Sequence, residues 1–231
     1  MIAAEDQPVL LHLETAEQGC SVALSRGNTL IYTSADPLSF RHTSQLPLLI
    51  KDAMEDQQMD WTQIKAVAIC DGPGSYTALR VGASMAKAIC YAHHIPLIAV
   101  PTLDLIYGAM DTGSPEAIYV ATLDARRERV FYALYDASGN CLEGPDLSRI
   151  DALIQRIASQ EVRAGGSGVI NQPELWIHPD NVIRLDPVRY SAAEMTGPAL
   201  QRFARGMFED LSTYAPNYLL RPNITTPRQA R

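Results

Sequence analysis

The stretch Ile69 to Ala92, I-C-D-G-P-G-S-Y-T-A-L-R-V-G-A-S-M-A-K-A-I-C-Y-A, limits what this chain can fold into more than any other. An apolar run, Ala66 to Cys70, enters a Gly72-Pro73-Gly74 turn and leaves it as a long segment of helical composition. That is a strand, a tight loop and a helix start. The glycines tolerate positive φ or a close backbone neighbour, and Pro73 fixes the turn between them. Ser75 is placed as an N-cap, with Tyr76, Thr77 and Arg80 following in the first turns. Backbone N–H groups at such a start can hold an anion, or the feature can be a helix cap and nothing more. There is no G-x-x-x-x-G-K-[ST], and the G-x-G lacks its third glycine, so the loop alone implies no nucleotide.

Small residues mark one face of the helix. Ala78, Gly82, Ala86 and Cys90 recur every fourth position and share a narrow stripe. A glycine inside a helix costs roughly 0.5–1 kcal/mol relative to alanine. Close approach of another helix, from this chain or from another subunit, would offset it.

With 231 residues, 47% of them hydrophobic, the chain can bury a proper core in one or two domains. Apolar runs fall short of a membrane span and no signal peptide is apparent, so a soluble, cytoplasmic protein is expected. Cys20, Cys70, Cys90 and Cys141 have no C-x-x-C spacing and read as reduced thiols. A net charge of -7 argues against an unaided nucleic-acid-binding face. The locally basic tail after Tyr218, with Arg221, Arg228 and Arg231, reads as a flexible end.

In chain order, Val9 to Leu13, Cys20 to Leu24 and Leu30 to Thr33 read as a strand meander with a two-residue turn at Gly27-Asn28. A helix from Ser44, with Pro47 in its first turn, presents Leu46, Leu49, Ile50, Ala53 and Met54 on one face. After the central strand and helix comes a short strand, Pro96 to Val100. The opening pattern then recurs: Ala117 to Leu123, Val130 to Tyr135 and a strand at Cys141, followed by a helix over 149–158. Asp124 lies 110 positions after Glu14, and in both halves the acid stands six positions before the next strand. This is a divergent duplication. The region Ile170 to Asp186 gives no clear pattern, and a last helix is expected between Ala192 and Phe208, starting near Thr196.

Two meander-led α/β units, each with an acid ending its first strand, resemble the duplicated RNase H-like fold of the actin, Hsp70 and sugar kinase (ASKHA) group. Nucleotides in that group lie between the domains, where glycines let phosphates approach. Here Ala16 and Arg126 stand two positions after Glu14 and Asp124, and Glu17 would repel a phosphate. Weak nucleotide binding or none is expected, with Glu14 and Asp124 marking a vestigial cleft. His12, His42, His93, His94 and His178 show no metal-ligand spacing and read as structural or solvated, with His42 a possible interface residue.

Taken together, L-L-H-L-E-T-A-E-Q-G-C-S-V-A-L (Leu10 to Leu24), His42-Thr43, Leu46-Pro47, D-G-P-G-S-Y-T-A-L-R-V-G (Asp71 to Gly82), Pro101-Thr102-Leu103, Leu123-Asp124-Ala125-Arg126 and Pro216-Asn217-Tyr218-Leu219 resemble the TsaB (YeaZ) family across nearly the whole chain. The resemblance implies a non-catalytic subunit of the bacterial machinery that makes threonylcarbamoyladenosine at position 37 of tRNA. Its expected partners are the TsaD catalytic subunit, the TsaE ATPase, a second copy of itself when alone, and tRNA indirectly; no membrane and no cofactor are implied. In TsaD an N-H-x-E-x-H stretch carries the metal. The corresponding residues here are Pro101 to Ile106, with Thr102 and Ile106 at the histidine positions. Departures from the family pattern are Glu14 for a usual aspartate and Ala78 for a frequent glycine.

The expected architecture is two tandem RNase H-like domains, 1–103 completed by 191–231, and 104–190. The expected partner face is His42, Leu46, Leu49, Ile50, Ala78, Gly82, Met85 and Ala86, so that Gly82→Trp would break partner binding and spare the fold. Alternatives are a small ATP-dependent phosphotransferase or ATPase of the same fold, marked by tight ATP binding, and a metallopeptidase, marked by bound metal.

Overall fold

Strand β1 (Val9–Glu14) is buried along its whole length, which only a central strand can be. It pairs antiparallel with β2 (Cys20–Arg26) and parallel with β4 (Ile64–Gly72). β3 (Thr29–Asp36) and β5 (Leu97–Pro101) complete a five-stranded mixed sheet in the order β3-β2-β1-β4-β5. The computed structural model describes residues 7–38, 41–157, 161–177 and 183–219. Helices α1 (His42–Asp56) and α2 (Tyr76–His93) pack on this sheet, and their apolar stripes supply Leu46, Leu49, Ile50, Leu79 and Ala86 to its core.

After the short helix α3 (Thr102–Gly108), a second sheet repeats the first. It is built from β6 (Ile118–Asp124), β7 (Arg129–Tyr135), β8 (Cys141–Arg149), β9 (Val162–Gly166) and β10 (Ile183–Asp186), in the order β10-β9-β6-β7-β8. Strand for strand this is the same topology, with Glu14 paired to Ser21 in one sheet and Asp124 to Val130 in the other. The duplication expected from the spacing is present in the connectivity. One face of this sheet packs Tyr119, Leu123 and Phe131 with Leu103 and Ile106 of α3. The other packs Val120, Val130 and Tyr132 with α4 (Ile150–Ile157) and Trp176.

Between β9 and β10 lie α5 (Ser167–Ile170) and a 3-10 turn at Pro173–Trp176, in the region that gave no sequence pattern. Gly165 and Gly166 are the last two residues of β9. A Cβ on Gly166 would collide with the Thr122 carbonyl, so glycine there permits close strand approach. α1 begins at His42, two residues before the expected Ser44. A 3-10 turn at Ala192–Met195 leads into α6 (Thr196–Ala204), which ends short of Phe208. Gly206 (φ +68°) turns the chain, and the Glu209 N–H then donates to the Leu97 carbonyl at 2.9 Å.

From there the chain forms a strap over the start of α2. The Tyr214 hydroxyl donates to Asp71 Oδ1 at 3.0 Å, the Asn217 N–H to the Asp71 carbonyl at 2.7 Å, and Lys87 Nζ to the Tyr214 carbonyl at 3.0 Å. The tail arginines Arg221, Arg228 and Arg231, and His178, lie outside the described residues. Cys20, Cys70 and Cys90 are free and buried, and Cys141 is free and exposed on edge strand β8.

Asp104 joins three elements: Tyr135 donates to its Oδ1 at 2.8 Å and Arg202 of α6 to its Oδ2 at 3.3 Å. Replacing it by alanine leaves a mostly buried phenol without its acceptor. Asp104→Ala is expected to cost about 1–3 kcal/mol in chemical denaturation, and Asp104→Asn clearly less.

Candidate functional site

The Gly-Pro-Gly loop is clamped from two sides. The Ser75 N–H donates to the Ala16 carbonyl at 2.7 Å, and a Cβ on Gly74 would strike Ala16. On the other side, Gly72 takes φ +108° and abuts the Asn217 carbonyl. Ser75 is the N-cap of α2, but its side chain makes no capping hydrogen bond. The Ser75 N–H, one of the donors an anion would use, is thus already taken by the β1–β2 hairpin.

The small-residue stripe also turns inward. Ala78, Gly82, Ala86 and Cys90 are buried, and a Cβ on Gly82 would collide with Thr15 Oγ1. The close approach that glycine permits is to the first hairpin of the same chain. This corrects the expected partner face. His42, Leu46, Leu49, Ile50, Ala78, Gly82 and Ala86 are all buried in the isolated chain, and His42 Nε2 bonds the Gly19 carbonyl at 2.8 Å. It also corrects the expectation for Gly82→Trp, which would wedge α2 off the hairpin and damage the fold.

Met85 alone of that set reaches the surface, in an apolar groove of about 580 Å3 lined by Thr43, Tyr76, Arg80, Ser84, Met85 and Ala88. These positions sit beside the buried stripe; periodicity locates the helices but does not distinguish a face toward the sheet from a face toward a partner. Tyr76 has two neighbours at its ring. The Tyr218 ring lies 4.6 Å away, and the Arg80 guanidinium sits 5.3 Å from the centroid while Arg80 Nη1 donates to the Tyr76 hydroxyl at 2.7 Å.

The second feature is the cleft between the sheets, a cavity of about 490 Å3 lined by Glu14, Glu17, Asp36, Ser167, Arg189 and Tyr190, among others. Glu14 is 5% exposed, and its Oε1 accepts the Ala16 N–H at 2.6 Å. Burial pushes its carboxyl up to about 8, and burial also raises Glu17. Asp124, expected opposite Glu14, instead bears on Glu17. Its oxygens accept from the Arg126 N–H (2.7 Å), Asn171 Nδ2 (3.0 Å) and Gln172 Nε2 (3.2 Å). Arg126 takes a left-handed backbone (φ 62°) although it is not glycine. Asp36 and Tyr190 had no sequence signal, because the β3 end and the linker after β10 meet the hairpin only in three dimensions.

At the positions corresponding to the metal-binding stretch of the catalytic relatives, Thr102 and Ile106 are fully buried, and Thr102 Oγ1 accepts the Gly72 N–H at 3.1 Å. Among the described residues, no three His, Cys, Asp or Glu side chains converge as metal ligands.

A family model described as "TsaD: tRNA N6-adenosine threonylcarbamoyltransferase" matches residues 37–184. The "tRNA threonylcarbamoyladenosine biosynthesis protein TsaB" of Escherichia coli (strain K12) is 28% identical, over 91% of this chain and 94% of that protein. A "tRNA N6-adenosine threonylcarbamoyltransferase" of Halalkalibacterium halodurans is 28% identical over 78% of this chain, which spans 61% of that protein's length. Among solved structures, "YeaZ from Pseudomonas aeruginosa" superposes with a TM-score of 0.79 at 20% identity, over 92% of this chain and all of that one, a likeness of fold.

Two buried groups set opposing pH limits. Glu14 loses its proton near 4.5 when unfolded but holds it to about 8 in the fold, so its contribution to stability is lost as pH rises across that interval. His12, fully buried against Ser25 Oγ at 2.8 Å, falls from 6.5 to about 3, so stability is lost as pH drops through that range. The two slopes cancel between 4.5 and 6.5. Glu14→Gln is therefore expected to gain on the parent between pH 4.5 and 8, by up to about 1.4 kcal/mol per pH unit, with little change in relative stability below pH 4.5. Urea midpoints of the two proteins across this range read the difference; parallel profiles would show that Glu14 is not proton-linked to folding.

Proposed function

Because this chain belongs to the TsaB (YeaZ) family, within the wider family of tRNA N6-adenosine threonylcarbamoyltransferases, and acts in the biosynthesis of threonylcarbamoyladenosine in tRNA, we propose that it is a non-catalytic subunit that binds a TsaD-type transferase and enables it. The observation that carries this reading is the apolar groove along α1 and α2, where Tyr76 contacts the Tyr218 ring and Arg80. Rigid aromatics and arginines in a small apolar patch are what protein interfaces concentrate their binding energy on. The partner is a protein of the same lineage. The family model that matches residues 37–184, a stretch that includes α1 and α2, carries the transferase's description, so a TsaD subunit is read as having equivalents of both helices and a matching face. A second copy of this chain would occupy the same groove when the transferase is absent.

The two sheets serve as tandem RNase H-like domains of the ASKHA type, 1–103 with the α6 region and 104–190. The site of action is the cytoplasm; no helix among the described residues is long and apolar enough to cross a membrane. Thr102 and Ile106 support the non-catalytic reading. A threonine hydroxyl committed to Gly72 and a buried isoleucine offer no ligand where the catalytic relatives hold their metal. Assembly with TsaE, and contact with tRNA through the complex, complete the proposed role.

Co-purification with the TsaD of the same organism, with a threonylcarbamoyl-transfer assay in the presence of TsaE, tests the whole reading. Modification should depend on this chain while the chain alone turns over nothing. Ser84 is exposed on the groove wall, so Ser84→Arg should leave the melting temperature unchanged and weaken the complex by roughly tenfold or more. Unchanged affinity would move the interface elsewhere.

A further inference from the structure

The β6–β7 hairpin is built against its residue preferences. Arg126, Arg127 and Glu128 follow one another at φ 62°, 54° and 58°, the left-handed region that glycine, asparagine and aspartate enter far more readily. The turn is nonetheless held at every step. The Ala125 N–H donates to the Arg129 carbonyl at 2.9 Å, the Arg126 N–H to Asp124 Oδ1 at 2.7 Å, and the Ile150 N–H to the Glu128 carbonyl at 2.9 Å. What this geometry achieves is the display of two neighbouring arginines, Arg126 and Arg127, both exposed.

Their charge is left uncompensated. Arg149 takes the Glu128 and Asp151 carboxylates, at 2.9 Å and 3.1 Å, while Asp124 accepts from Asn171 and Gln172. Among the described residues no ion pair engages Arg126, Arg127 or Arg129, and Arg129 Nε is shielded from solvent with no acceptor. Arg129 also stands directly opposite Arg149 in the β7–β8 register, a like-charged pair that weakens the sheet. In a chain of net charge -7, four arginines gathered at one end of a sheet are complemented by an added anion.

Which anion follows from what the hairpin lacks. A protein partner would be joined through an apolar core as well as charge, and no large hydrophobic residue is exposed from Asp124 to Val130 or from Leu147 to Asp151. Forked guanidiniums without apolar area around them suit the phosphodiester backbone of a nucleic acid.

We propose that the β6–β7 hairpin, with Arg126 and Arg127 at its tip and Arg129 and Arg149 on the strands beside them, is where this chain touches the phosphodiester backbone of the tRNA that the complex modifies. The RNA's identity rests on the proposed role in the complex, and the hairpin shares no residue with the α1–α2 groove. A contact made to phosphates alone positions the tRNA without reading its sequence.

The test is tRNA binding by the assembled complex with TsaD, read by anisotropy of a labelled, unmodified tRNA transcript over a series of salt concentrations. Arg126→Gly combined with Arg127→Gly removes both guanidiniums and relaxes the left-handed turn, so the melting temperature should hold or rise and the affinity for TsaD stay unchanged. The complex should then bind the tRNA roughly tenfold more weakly, with a log–log salt dependence shallower by about one to two. Lys65→Ala combined with Arg205→Ala, which removes two exposed cations outside the second sheet, should change neither. Unaltered tRNA affinity in the hairpin variant, or an equal loss in the control, would overturn the site. Loss of TsaD binding in the hairpin variant would make the arginines a protein contact and overturn the RNA assignment. If the parent chain forms no complex with TsaD, the partner reading fails on its own; the same variants are then compared in the full chain alone at low salt, where no tRNA binding, or equal binding by parent and hairpin variant, overturns the hairpin as well.

Discussion

The contact on which the structure depends is between the β1–β2 hairpin and the start of α2, where Thr15 meets Gly82 and Ala16 meets Gly74 and Ser75. No larger residue fits at Gly82 without moving Thr15, so the strand end and the helix are held at one separation. Cys70 adds to this knot: the Thr15 N–H donates to its sulfur at 3.1 Å. The groove faces outward because the small stripe faces inward, and the cleft exists because the same hairpin, on its other side, presents Glu14 and Glu17.

Much of this was legible in the residues and some was not, for identifiable reasons. The meander, the central strand, both long helices and the 110-residue duplication followed from period, turn residues and the position of two acids. β10 lies in the stretch that gives no clear pattern, and β9 ends in Gly165-Gly166, where only the Thr122 carbonyl pressed against Gly166 explains why glycine is needed in a strand. The buried stripe of α2 was found, but a stripe has no label saying whether its neighbour is a sheet or a subunit. Burial decided that, and Met85 with its exposed neighbours took the place of Gly82.

The cleft was half readable. Glu14 and Asp124 stood out by symmetry, yet they do not face each other as equals. Asp124 is bound by Asn171, Gln172 and its own hairpin, whereas Glu14 is buried with its charge largely suppressed. Divergence after duplication has left one acid as a structural acceptor and the other as a buried carboxylic acid. The residues that complete the cavity, Asp36 and Tyr190, come from a strand end and a linker whose positions no local pattern specifies.

The strap from Glu209 to Tyr218 has a bearing on how the molecule is made. Asp71 and Tyr214 are separated by 143 residues, and Tyr76 waits as long for the ring that steadies it. During synthesis the first sheet and α2 can form well before the segment that braces them emerges. A nascent chain would therefore hold its groove with Tyr76 lacking the Tyr218 ring, and the groove would take its final form late, once both sheets are already present. In this sense the strap acts as a completeness check, coupling the quality of the association surface to translation of almost the entire described sequence.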